Sequence, residues 1–310
     1  MGVVAQDIAY VRYAAPDLER MEVFLRDFGL TRVLRTERAL YMRGIGPEPF
    51  VHVTELGEAA ALGFGLKAAS VDDLQRLAAL RGVDVHDSDE PAGGQRVTLV
   101  DPDGFRVDFV WGATPHAALP AKPAEALNST GMRRRLNTKQ RFQSGPSHVM
   151  RLGHVVLKVR DFGASQAFYS SVFGMRAAAS YYANDPAQTL MAFMRCGLGQ
   201  TFTDHHTLGI HEVPNSRGIE HSAFEVVDWD DLCVGNTHLT QKGYEHSWGI
   251  GRHLEGSQIF DYWRDPFGNK IEHWTDGDSI NDDYHAAHSQ LNPDDASQWS
   301  PPLPPNLFPN

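Results

Sequence analysis

At 310 residues the chain is long enough for two domains with cores of their own. Its 42% hydrophobic and 22% charged residues are the balance of a soluble protein; no apolar run nears the length of a bilayer span, and no basic-then-apolar leader opens the chain. A net charge of −11 argues against a nucleic-acid partner, and two cysteines, Cys196 and Cys233, fit a reducing compartment, so the expectation is a cytoplasmic protein with no membrane partner.

Residues 8–56 read as an apolar strand, a helix and further strand-like runs, and residues 63–111 repeat that order. Residues 152–213 and 219–275 do so again. Asp17 and Asp161 are the expected helix N-caps, and Gly29 and Gly174 the expected left-handed C-terminal caps. Phe24 with Phe28, and Phe168 with Val172, recur at helical spacing as core positions. Residues 113–150 lack periodicity and carry the basic run Arg133-Arg134-Arg135 with Lys139 and Arg141, which reads as a solvated connector. From residue 279 the chain runs into Pro301-Pro302-Leu303-Pro304-Pro305, an extended tail expected to wrap the surface or a neighbouring subunit. The expected units are an N-terminal domain at 1–112, the connector at 113–150, a C-terminal domain at 151–278 and the tail at 279–310.

The chain repeats itself. Ile-Ala-Tyr-Val (8–11) followed by Asp-Phe-Gly-Leu (27–30) answers Leu-Gly-His-Val (152–155) followed by Val-Phe-Gly-Met (172–175). Asp-Pro-Asp-Gly-Phe-Arg-Val-Asp (101–108) answers Asp-Pro-Phe-Gly-Asn-Lys-Ile-Glu (265–272), and Ser-Val-Asp-Asp-Leu (70–74) answers Asp-Trp-Asp-Asp-Leu (228–232). Laid over one another, the halves set His154, His221 and Glu272 opposite Tyr10, Gly63 and Asp108. The framework therefore needs neither histidine. Strand alternation sends Val155, Leu157, Phe224, Val226 and Ile271 to an apolar face and leaves the three polar residues on the other. Two imidazoles and a carboxylate on one side of a metal leave three adjacent positions open, an arrangement associated with non-haem Fe(II). Fe(II) is the first expectation and Mn(II) the second; redox-inert Zn(II) is a poor choice for oxygen chemistry.

Five segments in order then carry a resemblance. Leu-Gly-His-Val (152–155), His-His-Thr-Leu-Gly-Ile (205–210), Ile-Glu-His-Ser-Ala-Phe-Glu-Val (219–226), Gly-Arg-His (251–253) and Tyr-Trp-Arg-Asp-Pro-Phe-Gly-Asn-Lys-Ile-Glu (262–272) resemble the catalytic domain of the type I extradiol ring-cleavage dioxygenases, in the vicinal oxygen chelate superfamily. The resemblance implies an α+β fold of four βαβββ modules forming two tandem open β-barrel domains, the first non-catalytic. It implies a homo-oligomer that cleaves a substituted catechol, or a related di- or trihydroxylated aromatic, by extradiol (meta) attack of O2 at one Fe(II). The product would be a 2-hydroxymuconic semialdehyde-type compound of aromatic catabolism. It assigns His154, His221 and Glu272 to the metal, His206 to acid/base work beside the oxygen site, and His253 with Tyr262 to holding the substrate oxygens. His205 would face the other way on a regular strand.

Asp265-Pro266-Phe267-Gly268 reads as a turn that introduces the Glu272 strand. Tyr181, Tyr182, Phe193, Trp248 and Phe260 are equally suited to a pocket wall or to packing, and His211 and His246 have no assigned role. Three other readings stay open: a glyoxalase-type isomerase, a dioxygenase of aromatic keto acids, and a metal-free module that binds small molecules.

Overall fold

The computed structural model describes residues 2–121 and 127–304. Four βαβββ modules follow one another. The first is β1 (Asp7–Ala15), α1 (Leu18–Phe28), β2 (Thr31–Arg35), β3 (Ala39–Arg43) and β4 (His52–Leu56). The second is β5 (Ala60–Lys67), α2 (Val71–Arg81), β6 (His86–Asp87), β7 (Gln95–Val100) and β8 (Arg106–Trp111). The third is β9 (Val149–Val159), α3 (Phe162–Phe173), β10 (Arg176–Tyr182), β11 (Thr189–Arg195), the short β12 (Thr203–Asp204) and β13 (Leu208–Glu212). The fourth is β14 (Gly218–Val226), α4 (Trp229–Gln241), β15 (His246–His253), β16 (Ile259–Arg264) and β17 (Lys270–Thr275). The mixed α+β class is as expected.

Local chemistry sets the helices. The side chains of Asp17 and Asp161 each accept a backbone N–H three residues on, at 2.9 Å, and Ser70 and Asp228 cap the other two helices in the same way. Gly29 and Gly174 end their helices at φ +113° and +65°, the left-handed region that a side chain would strain. Met21, Phe24, Leu25 and Phe28 then line one side of α1 and are buried. Each such side chain stabilises the fold by roughly 1.5–3 kcal/mol.

Two sheets result, with the same strand order. The first runs β2-β3-β4-β1-β5-β8-β7-β6, and the second contains β10-β11-β13-β9-β14-β17-β16-β15 in the corresponding places. The likeness extends to single residues. Ile8, Tyr10, Arg12 and Tyr13 pair with Leu66, Gly65, Gly63 and Ala61, with a register shift after Ile8 and another after Arg12. Leu152, His154, Val156 and Leu157 pair with Phe224, Ala223, His221 and Ile219, shifted at the same two places. Both central strand pairs thus share two register shifts at matching positions, and the second pair has a third between Glu225 and Val226.

The tail completes the second sheet. After the ribbon strand β18 (Ser279–Ile280), which pairs with β12, β19 (Ala287–Gln290) joins the β10 edge and β20 (Ser297–Trp299) joins the β15 edge. The halves share one continuous core. Tyr13 donates to Ser222 Oγ at 3.1 Å and Tyr169 to Asp101 Oδ2 at 2.7 Å. The imidazole of His273 stacks on Phe28 at 3.7 Å and donates to its carbonyl at 2.7 Å. Val3 and Ala5, ahead of β1, donate their backbone N–H groups to the last turn of α3. No described helix is long and apolar enough to cross a membrane.

Candidate metal centre and its pocket

His154 on β9, His221 on β14 and Glu272 on β17 come together at the middle of the second sheet. Their neighbours on the alternate face, Val155, Leu157, Phe224, Val226 and Ile271, lie in the hydrophobic core. Nε2 of His154 lies 3.3 Å from Nε2 of His221, and each is 3.4 Å from Glu272 Oε2. The donors form a nearly equilateral triangle. A cation at the usual bond length of about 2.0–2.2 Å touches all three corners of a triangle this size.

The carboxylate gives the fit its weight. Glu272 is fully buried, and no described donor hydrogen-bonds either of its oxygens. A buried carboxylate left so is costly unless a cation meets it. Burial alone would raise its pKa, and the neighbouring His154 and His253 act to lower it. Burial lowers His154 from the ordinary imidazole value, so its nitrogen offers a lone pair at neutral pH. This donor set fits a divalent cation.

Neighbours fix the rings. Glu220 accepts a hydrogen bond from His221 Nδ1, which turns Nε2 toward the triangle, and Lys270 pairs with Glu220 behind it. Such a backing carboxylate also raises the basicity of a ligating imidazole. Alternation along β14 would send Glu220 to the opposite face from His221. The bulge between Ile219 and His221 brings them side by side, which is why strand periodicity missed it. Glu220 immediately before the histidine was the available signal.

A cavity of about 280 Å³ opens beside the triangle. That is near the small end of ligand pockets and suits a single ring. His206 lines it, with its ring 4.2 Å from that of His154 and 4.6 Å from Phe193. Burial, and then His154, hold His206 well below the usual histidine range, so it is a neutral base at pH 7. His205 is buried behind it, with Nδ1 3.2 Å from Nδ1 of His206.

His253 and Tyr262 both line the cavity and meet each other, Nε2 to hydroxyl, at 2.9 Å. His253 Nδ1 donates to the Ala296 carbonyl at 3.1 Å, which fixes the ring with Nε2 toward the cavity. Burial, then the Glu272 charge, push the Tyr262 phenol well above its ordinary value and keep it a donor.

Of the aromatic candidates, Tyr181, Phe193 and Trp248 line the cavity. Phe260 and Tyr182 do not: Phe260 packs behind, 4.0 Å from the His253 ring, and Tyr182 stands at the sheet edge against His288. His211 is a wall residue; His246 instead bonds Asp261 at 2.7 Å. Asp265 shapes its turn by accepting the N–H groups of Phe267 and Asn269 at 2.8 and 2.9 Å. The tail supplies walls as well, through Leu291, Asn292, Asp295 and Ala296. Edge pairing of β19 with β10 and of β20 with β15 brings them there, and no local pattern announces it.

The second half carries a recognisable module: the profile of the Glyoxalase/Bleomycin resistance protein/Dioxygenase superfamily matches residues 151–273. Metapyrocatechase 2 from Cupriavidus necator is 28% identical over 294 residues, covering 93% of this chain and 87% of that protein. The solved structure of the Mn(II)-bound glyoxalase from Novosphingobium aromaticivorans superposes with a TM-score of 0.79 at 21% identity, over 99% of this chain and 95% of its own. Homoprotocatechuate 2,3-dioxygenase from Arthrobacter globiformis superposes with a TM-score of 0.76 at 20% identity, over 100% and 93%. Residues 151–273 thus match this superfamily, and over most of its length the chain is similar to metapyrocatechase 2 in sequence and to the two-domain proteins of that fold in structure.

Proposed function

We propose that this chain is an extradiol ring-cleavage dioxygenase acting on catecholic substrates, with Fe(II) as its resident metal and Mn(II) as the second choice. The observation that carries the reading is Glu272: a fully buried carboxylate with no described donor on either oxygen, 3.4 Å from two imidazole nitrogens.

His154, His221 and Glu272 would hold the metal on one side. A redox-active divalent ion held there would bind the catechol oxygens and dioxygen and supply the electronic link between them. The protein's own part is positional and protonic. The neutral His206 can take a catechol proton and later return it, which is work for a general base within reach of the bound ring. Tyr262 and His253 hold each other at 2.9 Å beside the cavity, and a catechol oxygen would have to replace that bond for either group to serve it. Val156, Met191, Phe193 and Trp248 form apolar walls that exclude water from the ring. The product expected from this chemistry is a 2-hydroxymuconic semialdehyde-type compound.

The same reading makes the protein a cytoplasmic homo-oligomer, which light scattering after gel filtration would check. The decisive experiment is anaerobic reconstitution with Fe(II), Mn(II) or Zn(II), metal analysis, and a spectrophotometric screen of catechols for yellow ring-fission products. Cleavage with the redox-active ions and none with Zn(II) is expected. Bound iron without turnover of any catechol would turn the assignment to an isomerase or a keto-acid dioxygenase.

A further inference from the structure

The cavity has a corner whose chemistry ring cleavage does not use. Glu255 sits there, with Oε1 accepting from the Tyr181 hydroxyl at 3.1 Å and Oε2 3.4 Å from His205 Nε2. The His205 contact, and then Tyr181, keep Glu255 below the ordinary carboxylate range despite its partial burial. Asp295, brought by the tail, lines the same cavity, and its charge is felt by the same tyrosine. Gln258 is 1% exposed, lines the cavity too, and its Oε1 meets no described donor. Among the described lining residues no arginine occurs, and the one lysine, Lys270, is paired with Glu220 beside the metal donors. The walls between are Met191, Phe193, Trp248 and Leu291.

Two carboxylates and an amide carbonyl, without a lysine or arginine among them, make an acceptor-lined corner. A carboxylate brought into it meets like charge from the partly buried Glu255 and the exposed Asp295, which disfavours it. An alkyl group leaves the Gln258 oxygen as short of a donor as before. A hydroxyl or ammonium group satisfies it. We propose that this corner reads the substituent of the catechol: rings whose substituent ends in a hydrogen-bond donor, an ammonium group being the best case, are accepted, and rings ending in a carboxylate are refused. Glu255 and Gln258 are the residues that discriminate, with Asp295 closing the corner.

The proposal rests on the dioxygenase reading, and its test separates the two. Four catechols of matched length are compared with the Fe(II)-loaded enzyme: 4-(2-aminoethyl)catechol, 4-(2-hydroxyethyl)catechol, 4-ethylcatechol and 3,4-dihydroxyphenylacetate. The expected order of kcat/KM is amine, then alcohol, then ethyl, then acid, with amine over acid by about 100-fold or more. Glu255→Gln should shrink the amine-to-acid ratio about tenfold, and Asp295→Asn, at an exposed position, serves if the first variant does not fold.

A second readout needs no turnover. Calorimetric binding of the corresponding monophenols, 4-(2-aminoethyl)phenol and 4-hydroxyphenylacetate, should rank in the same sense with or without metal. Cleavage or binding of the acid as well as the amine overturns the proposal, as does a ratio that neither substitution moves. If no catechol is cleaved, the dioxygenase reading fails, and the monophenol series still decides this one.

Discussion

Asp108 and Glu272 occupy the same place in two copies of one framework and are treated in opposite ways. Asp108 pairs across its sheet with Thr98 and Gly65, and Glu272 with Tyr262 and Ala223. Asp108 accepts from the Tyr10 hydroxyl at 2.8 Å, Thr98 Oγ1 at 2.6 Å and Arg106 Nε at 2.9 Å. Glu272 accepts from none of its described neighbours. The first copy has closed its carboxylate with protein donors, one of them at the His154 position. It is also closed to a ligand at the His221 position: a Cβ at Gly63 would lie 1.9 Å from the Arg106 carbonyl oxygen. A candidate metal centre and a structural hydrogen-bond cluster thus stand at the same place on one backbone, with three side chains exchanged at its centre. What separates them is whether the protein satisfies its own buried charge.

The sharpest way to break that comparison is to write the first set into the second half, as His154→Tyr, His221→Gly and Glu272→Asp together. Metal stoichiometry by elemental analysis should fall from about one per chain to near zero. Ring cleavage should drop by more than the roughly 100-fold that loss of an outer partner costs. The thermal midpoint of the metal-free protein should hold or rise, because a buried charge without a donor has gained one. A metal-free midpoint that collapses would mean the three residues also carry the fold, and the comparison would be wrong.

The reverse experiment is smaller. Asp108→Ala leaves the buried Tyr10 hydroxyl and the Arg106 guanidinium facing an empty place, and should lower stability by about 2–4 kcal/mol in urea unfolding. Metal content per folded chain should not change. Loss of metal in this variant would show that the first half does more than support the second.

Which positions to compare was legible in the sequence, because the Asp-Pro-x-Gly turns and helix caps repeat at fixed offsets and mark the frame. The alternating apolar residues were legible for the same reason; Val155, Phe224 and Ile271 all sit in the core. Glu220 was hidden by a bulge, since alternation assumes a regular strand. His273 was hidden because its partner, Phe28, is 245 positions away in the other half. Leu291 and Asp295 were hidden because edge pairing, which has no side-chain period, placed them. Phe260 and Tyr182 read as well for pocket as for packing, and only the register of β15 against β16 and of β10 against β19 decides.

A last test comes from a pair that the register also matches, His52 and Leu208, each opposite the central strand, at Val11 and Val155, and it shows only when the pH falls. His52 is 1% exposed, its ring 5.5 Å from Tyr13 and 6.4 Å from Phe224 at the junction of the halves. Burial lowers its pKa to about 3. Free histidine titrates near 6.5, so between those values the unfolded chain binds a proton that the folded protein refuses. The contribution is therefore intact above about pH 6.5 and is lost as pH falls toward 3, at roughly 1.4 kcal/mol per pH unit where the slope is steepest. His52→Leu, which installs the residue of the second half, removes that proton from the balance. The gap in unfolding free energy between variant and parent should widen steadily from pH 6.5 to pH 4 in urea titrations. A gap that stays constant over that range would mean His52 is already protonated in the fold, and that the two halves meet through a charge rather than a packed ring.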